Sequence, residues 1–119
     1  MILIVADLDR AVRFYQDVLG IPLAHRAEAY AQFASGATRL GLYTRVAMSE
    51  TLSLPLEPNP PDAPGFEIGF KVADCDAVYT ALVRAGAAPV VSPTDRSWGQ
   101  RTAYVRDPDG HLIELAQDR

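Results

Sequence analysis

The chain has one cysteine and only two histidines among its 119 residues. A single thiol, Cys75, excludes an intrachain disulfide and any cluster of thiolate metal ligands. Apolar runs are short as well: the longest one without a charge, residues 1–6, is far below the length that spans a membrane. No basic region precedes this run and no small-residue cleavage site follows it, so a signal peptide is not predicted. These absences predict a cytoplasmic protein.

Basic side chains are outnumbered by acidic ones, which gives a formal net charge of −4 and a pI near 5.0. This balance disfavours a nucleic-acid partner and an anionic membrane surface. The sequence contains no Walker or G-x-G-x-x-G pattern. No Ser-His-Asp or Cys-His arrangement has support either. Phosphate-binding loops and nucleophilic triads are therefore not predicted, and no catalytic residue is assigned.

What the sequence does contain is an internal repeat. The motif V-A-D-x-D occurs twice, with its first aspartate at Asp7 and again at Asp74, 67 positions later. In each copy an apolar strand leads to this aspartate, which is suited to cap a helix. Each helix then carries apolar residues at i, i+3, i+4 and i+7, and it ends at a glycine, Gly20 or Gly86, with a proline soon after. Agreement at this many points favours a duplicated unit over coincidence.

Three short strands are predicted after each helix, so each copy has the order β-α-β-β-β. The predicted strands are 1–5, 23–28, 30–34 and 38–44 in the first copy and 66–72, 90–92, 101–106 and 111–116 in the second, with helices at about 8–19 and 75–85. The predicted class is α+β, with two βαβββ modules at 1–47 and 66–119 forming one domain. The segment 48–65 lies between them, and its five prolines predict an extended linker.

Two parts of the chain resemble a known superfamily. Residues 7–20, DLDRAVRFYQDVLG, resemble the opening helix of the vicinal-oxygen-chelate superfamily of glyoxalases, bleomycin resistance proteins and dioxygenases. Residues 98–101, WGQR, and 107–115, DPDGHLIEL, resemble its closing strands. The resemblance implies two βαβββ modules that curl around a common cavity, which holds a ligand and, in the enzymes, a divalent metal. It leaves the activity open, because members include isomerases, dioxygenases, thiol transferases and drug-sequestering proteins.

The resemblance implies metal ligands on the first and fourth strands of both modules. In the second module these positions correspond to Glu67 and Glu114, and period-two alternation favours the cavity side for both. In the first module the first-strand position falls ahead of Met1, and the fourth-strand position is Gly41. The metal site is therefore expected to be incomplete, so that a divalent metal binds weakly and no cofactor is required. A chain beginning a few residues earlier would restore one ligand.

Each carboxylate also has a simpler interpretation. Glu67 is four residues before Lys71, which is two side chains along the same strand face, so an ion pair between them is an alternative. Glu114 has Arg39 or Arg101 as alternative partners. These interpretations stay open because unpaired buried charge is rare in proteins.

Three more side chains are predicted to bind the ligand. Tyr43 and Arg39 share a strand face with Gly41, and in drug-sequestering relatives an aromatic side chain near the position of Trp98 lines the cleft. Tryptophan and tyrosine offer broad apolar contact with a polar tip, which suits a flat organic ligand. Gly41 and Gly69 are expected to widen the cavity. The alternative for Trp98 is that it covers the edge of the core.

The remaining candidates have structural interpretations. Cys75 lies on the core-facing side of the second helix and is predicted to be a small buried residue rather than a nucleophile. His111 follows a tight turn and is expected to be exposed to solvent. His25 is beside Arg26 in a strand and is assigned to the surface.

Two functions of different class follow from these residues. The first is a binding protein whose cavity holds a small organic molecule without a complete metal site. The alternative is a divalent-metal-dependent lyase, isomerase or dioxygenase, for example one like lactoylglutathione lyase, that uses Glu67 and Glu114 as ligands or base. A homodimer is also expected, because the long connection 48–65 carries leucines that need cover.

Overall fold

A computed structural model of the chain describes residues 1–58, 60 and 64–119. The chain divides into two compact units, Met1–Pro58 and Asn59–Arg119. The first contains β1 (Ile2–Val5), α1 (Leu8–Val12), a π-helical segment (Arg13–Val18), β2 (Leu23–Arg26), β3 (Tyr30–Phe33), β4 (Leu40–Thr44) and α2 (Arg45–Leu52). The second contains β5 (Glu67–Lys71), α3 (Cys75–Arg84), β6 (Ala88–Asp95), β7 (Gln100–Arg106) and β8 (Leu112–Asp118).

Both units contain a four-stranded sheet with the same topology. The strand order is β1-β4-β3-β2 in the first unit and β5-β8-β7-β6 in the second. In each sheet the first strand pairs in parallel with the last, and the other neighbours are antiparallel. Each unit is therefore a βαβββ module, which confirms the predicted α+β class and the duplication.

Capping aspartates start the equivalent helix in each module. The Asp7 carboxylate accepts a hydrogen bond of 3.0 Å from a first-turn backbone N–H, and Asp74 does the same at 3.0 Å. Each bond satisfies a donor that has no partner within the helix. The first helix does not stay α-helical up to residue 19 as predicted. It continues as a π-helical segment, in which the Leu19 N–H donates to the Phe14 carbonyl at 2.9 Å.

Alternation along each strand separates a buried face from its opposite. In the second sheet the buried face carries Ile68, Ile113 and Leu115, and Cys75 and Leu82 of α3 are buried with them. The corresponding core of the first unit includes Leu3, Val5, Tyr15, Phe33 and Leu42. Apolar burial of this kind is the main favourable term in folding. It also decides which way every intervening side chain of a strand points, because the side-chain period is two.

Residues 45–52 form a helix that the sequence analysis does not predict. The Thr44 hydroxyl accepts a hydrogen bond of 3.2 Å from the Ala47 N–H and so caps the helix. The helix ends at Ser53, whose φ of 54° is left-handed. The linker prediction rested on prolines, and the first of them is Pro55, which follows the helix. Residues 48–52 are therefore helical rather than extended.

The rest of the predicted linker is only partly described. Residues 59 and 61–63 lie outside the described residues. The predicted module boundaries at 47 and 66 stay predictions.

The helices are short. The longest of those described, α3, has 10 residues. No helix in the described part of the chain combines the length and apolar character needed to cross a membrane.

Candidate functional site

Glu67 on β5 and Glu114 on β8 lie together on the face of the second sheet opposite to α3. Gly69 pairs in register with Glu114, and Glu67 shares its strand face because it is two residues away. The two carboxyl groups are within hydrogen-bonding reach of each other. We call Glu67 and Glu114 the carboxyl pair, and we call the face that carries Glu67, Gly69, Thr102, Tyr104 and Glu114 the distal face.

The carboxyl pair favours a bound proton. Partial burial raises the pKa of Glu67 above its ordinary value of 4.5, and the hydrogen bond to Glu114 and the negative charge there raise it further. All three effects stabilise the neutral acid relative to the carboxylate. The pair is consequently a place where a proton, or another positive or hydrogen-donating group, is stabilised.

Gly69 gives the Glu114 carboxylate its space. A Cβ added at Gly69 would lie 3.2 Å from Glu114 Oε2, which is closer than ordinary van der Waals contact. Because glycine has no side chain, the carboxylate can lie over β5 and approach Glu67. The sequence predicts that Gly69 widens a cavity. In the structure this space holds a carboxylate instead.

The alternative of an ion pair between Glu67 and Lys71 is wrong. Lys71 Nζ pairs with the carboxylate of Asp118, on the neighbouring strand β8. Sequence proximity favoured a pair between residues four apart on one strand. The parallel pairing of β5 with β8 instead brings Asp118 to Lys71.

Arg101 does not neutralise Glu114 either. Its guanidinium binds Asp76 with Nη2 at 2.8 Å and Asp95 with Nη1 at 2.9 Å. The Arg101 guanidinium therefore pairs with two carboxylates on the side of the sheet that carries α3, and Glu114 lies on the opposite side. The other alternative partner of Glu114, Arg39, belongs to the first unit, and that pairing stays a hypothesis.

Tyr104 on β7 is a third titratable group on the distal face. It pairs in register with Glu114 across the antiparallel β7–β8 ladder. Burial raises the pKa of its phenol, and the charges of Glu114 and Glu67 raise it further, so the phenol keeps its proton at neutral pH and remains a donor. Tyr104 is not among the residues predicted from the sequence. Its strand was predicted, but the register of that strand with β8 was not available.

The loop between β6 and β7 carries Trp98 and Arg96. Arg96 Nε donates to Thr102 Oγ1 at 2.8 Å, and its guanidinium carbon is 5.8 Å from the centroid of the Trp98 ring. The indole N–H donates to Gln100 Oε1 at 3.1 Å. Trp98 is 64% exposed, which does not fit the alternative that it covers the edge of the core.

The other predicted ligand-binding residues, Tyr43 and Arg39, belong to the first unit. Tyr43 is half-buried on β4, and its hydroxyl is 3.0 Å from Thr51 Oγ1 on α2. Arg39 is exposed immediately before β4. Their predicted place in one cavity with Trp98 and the carboxyl pair stays a prediction.

Gly41, predicted to leave a ligand position empty, lies against Tyr30 of the neighbouring strand β3. A Cβ at Gly41 would be only 2.9 Å from the Tyr30 hydroxyl oxygen, and this hydroxyl donates to Gln32 Oε1 at 3.2 Å. The space is therefore filled by a phenol and does not widen a cavity as predicted. Pairing of β3 with β4 causes this. Tyr30 is opposite Tyr43, two residues from Gly41, so its side chain lies on the same face diagonally across from Gly41.

His111 is buried, so the expectation of an exposed side chain is wrong. The residue is 7% exposed, and its Nδ1 is 2.7 Å from Asp107 Oδ2. Asp107 Oδ1 also accepts backbone N–H groups of Asp109 and His111, at 3.0 and 2.8 Å. The turn thus folds the imidazole back onto the aspartate, with the Phe66 ring 5.8 Å away.

Cys75 and His25 lie where the sequence predicts. Cys75 is fully buried, with its Sγ 3.6 Å from the Leu115 carbonyl oxygen. Burial raises the pKa of its thiol, which disfavours the thiolate that nucleophilic chemistry requires. His25 is exposed on β2.

Within residues 1–58, 60 and 64–119, no group of three or more His, Cys, Asp or Glu side chains is arranged to hold a metal ion. The carboxyl pair supplies two hard oxygen ligands, whereas Ca²⁺ or Mg²⁺ takes six or more oxygens, many of them from water in the case of Mg²⁺. The metal affinity of the pair stays a prediction.

We expect Glu67→Gln to change how stability depends on pH. The pKa of Glu67 is raised in the folded chain, so between its ordinary value of 4.5 and the raised value the folded chain binds more protons than the unfolded one. The wild-type free energy of unfolding therefore falls as pH rises through this range. The variant should lack that fall and should be more stable at neutral pH, by less than about 1 kcal/mol because Glu67 is exposed.

Urea unfolding of both proteins, followed by circular dichroism from pH 4 to pH 8, measures this difference. Glu50→Gln is the matched control, because Glu50 is an exposed carboxylate on α2. A difference between wild type and Glu67→Gln that stays constant over the pH range would contradict the raised pKa of Glu67.

Comparison with known proteins agrees with the two-module architecture. Residues 1–115 match the sequence profile of the Glyoxalase/Bleomycin resistance protein/Dioxygenase superfamily. The chain is similar to the uncharacterized protein YraH of Bacillus subtilis, with 36% identity over 117 residues that cover 95% of this chain and 91% of YraH. It is 30% identical to the metallothiol transferase FosB of Shouchella clausii over 128 residues, covering 93% and 73% of the two chains.

A crystal structure of a family enzyme from Burkholderia phytofirmans superposes with a TM-score of 0.89 at 19% identity, covering 100% of this chain and 96% of that one. At this identity the likeness is one of fold. Two βαβββ modules of equal topology define the class of protein. The chain belongs to the glyoxalase/bleomycin resistance protein/dioxygenase superfamily, as the resemblance in its opening helix and closing strands predicted.

Proposed function

We propose that this superfamily member binds a small organic molecule on the distal face of the second sheet, without a complete metal site. The observation that carries the proposal is the carboxyl pair. Glu67 and Glu114 approach each other over Gly69, and the nearby lysine and arginine of the sheet bind other carboxylates. A pair of this kind is suited to a ligand that brings a hydrogen-bond donor or a positive charge.

Other side chains of the second unit support a ligand rather than a purely structural role. Trp98 exposes most of its indole and offers a flat apolar surface to an organic ring. The protonated phenol of Tyr104 adds a polar group beside the pair. An apolar surface with a few converging polar groups is typical of small-molecule sites. We also propose, from the sequence alone, that Tyr43 and Arg39 of the first unit bind a ligand.

The second candidate function is a divalent-metal-dependent enzyme of the lyase, isomerase or dioxygenase type. It is favoured by the side-by-side carboxylates, which are the two residues that would hold the metal, and by the similarity to a protein named metallothiol transferase. A bound metal would supply Lewis acidity for polarising substrate oxygens. Two carboxylates without a histidine suit hard cations and provide weak retention of transition metals. We therefore rank this function below metal-free binding.

Fluorescence of the single tryptophan tests the binding function. A panel of small aromatic and amphipathic organic molecules is titrated into the full chain, and Trp98 emission is recorded. We expect at least one molecule to bind, and its affinity should fall about tenfold in both Glu67→Gln and Glu114→Gln, since each removes a charge-assisted hydrogen bond. Glu50→Gln is the control and should bind like wild type. Loss of affinity in the control as well would point to net charge rather than to the pair.

Calorimetric titration with Mn²⁺, Ni²⁺ and Zn²⁺ separates the two functions. We expect no stoichiometric binding at sub-micromolar concentration. Tight stoichiometric binding that Glu67→Ala abolishes would replace the binding protein with the metalloenzyme as the preferred function. The predicted homodimer and the predicted cytoplasmic location remain predictions alongside both functions.

A further inference from the structure

Arg96 differs from Lys71, Arg101 and Arg106 in the acceptors that its side chain binds. Lys71 and Arg101 are each bound by carboxylates, and Arg106 donates Nη1 to the Gly110 carbonyl at 3.0 Å. Arg96 uses only Nε, which donates to Thr102 at 2.8 Å. In the part of the chain that the structure describes, neither its Nη1 nor its Nη2 bonds to an acceptor. Up to four N–H donors of this half-buried guanidinium therefore stay available.

The guanidinium is held in position from three directions. Its backbone closes the β6–β7 hairpin, because the Arg96 N–H donates to the Gln100 carbonyl at 2.7 Å and the Gly99 N–H donates to the Arg96 carbonyl at 3.1 Å. Thr102, which is fully buried, accepts from Nε. The indole ring of Trp98 lies 5.8 Å from the guanidinium carbon. Holding an arginine in one geometry lowers the entropy that a ligand must remove on binding.

Thr102 also connects Arg96 to the carboxyl pair. Its hydroxyl accepts from Arg96 Nε. Tyr104 lies two residues further along β7 on the same strand face, and it pairs in register with Glu114. The distal face thus runs from a guanidinium, through two hydroxyl groups, to a pair of carboxyls. Its two ends carry opposite charge.

We propose that Arg96 is an oxyanion-binding residue, and that the ligand of the distal face carries a carboxylate, phosphate or phosphonate group at this end and a hydrogen-bond donor or cation at the other. The proposal rests on the proposed binding function and names the ligand class for it. A guanidinium with free Nη groups matches two oxygens of such an anion in parallel. With a net charge of −4, the chain as a whole repels anions, so anion binding here requires a specific residue rather than general attraction.

The test titrates three small anions, methylphosphonate, inorganic phosphate and acetate, into the full 119-residue chain at constant ionic strength. Proton–nitrogen NMR follows the Trp98 Nε1–H and Arg96 Nε–H signals. We expect at least one anion to bind and to shift both signals, and the one that binds most tightly identifies the source of the oxyanion. Arg96→Gln should weaken this binding about tenfold or more. Arg96→Lys, which keeps the charge and loses the Nε contact with Thr102, should give an intermediate affinity.

The matched control is Arg84→Gln, which removes the same charge from the exposed end of α3 on the other side of the sheet. It should leave anion binding unchanged, and the amide spectrum of each variant reports whether it is folded. Absence of shifts with all three anions up to concentrations on the order of 100 mM overturns the proposal. Equal weakening in Arg84→Gln and Arg96→Gln also overturns it. Binding of uncharged organic molecules at the carboxyl pair would survive either result, so failure of this inference is distinguishable from failure of the proposed function.

Discussion

Replacing Asp107 with alanine should lower the free energy of unfolding by about 3–5 kcal/mol. The carboxylate of Asp107 is fully buried and accepts three hydrogen bonds, from the backbone N–H groups of Asp109 and His111 and from the His111 ring. Alanine leaves these donors without that acceptor, and each lost buried partner costs about 1–3 kcal/mol. Urea unfolding followed by circular dichroism measures the loss as a shift of the midpoint.

Asp118→Ala is the control for this variant. Asp118 is an exposed aspartate at the end of β8, where it pairs with Lys71 and accepts from Gln100. Exposed ion pairs contribute little to stability, because water solvates both charges in the unfolded chain as well. Asp118→Ala should therefore destabilise the chain much less than Asp107→Ala. Equal losses for Asp107→Ala and Asp118→Ala would show that the turn does not depend on the buried aspartate.

Leu115→Ala should destabilise the chain by about 3 kcal/mol, through lost apolar burial and the cavity that remains. Leu115 is fully buried on β8, and its carbonyl lies against Cys75 of α3. Its sequence neighbour Glu114 points to the opposite face. Glu114→Ala should therefore cost less than about 1 kcal/mol, and at neutral pH it also removes a like charge beside Glu67.

These two substitutions differ by one position in the same strand, so their comparison tests the alternation that defines the distal face. Chemical denaturation of the two variants under one set of conditions is sufficient. A large loss for Glu114→Ala with a small loss for Leu115→Ala would reverse the two faces and remove the basis of the carboxyl pair.

Local pattern was enough to predict the modules. A capping carboxylate, a helical apolar face and a terminating glycine act within one turn of the chain, so Asp7 and Asp74 could be assigned from their neighbours alone. Strand alternation is also local. It predicts that Glu67 and Glu114 lie on the strand faces opposite to the buried apolar residues, without knowledge of which strands pair. Helix α2 is not predicted from the sequence, because the prolines beginning at Pro55 favour an extended segment, whereas Thr44 caps a helix that ends before them.

Side-chain partners were less accessible to sequence reasoning. The Lys71–Asp118 pair and the contact of Tyr30 with Gly41 cross from one strand to another, and each depends on register. Burial of His111 depends on a turn that folds back on Asp107. Arg96 gave no signal at all in the sequence, since a loop arginine is ordinarily solvated.

The sequence by itself determined the duplication and the order of elements in each module, because these depend on contacts between residues close along the chain. It also determined the buried apolar faces and the strand faces of the two carboxylates, because these depend on periodicity. Only the tertiary structure decided which strands pair and in what register, and hence that Glu114 approaches Glu67 over Gly69 and that Tyr104 lies beside them. Register in β6–β7 is further shifted by irregularities near Pro89 and before Thr94, which no periodicity reveals. Pairing between distant strands is selected by the free energy of the whole sheet and its core, so these contacts have no local signature.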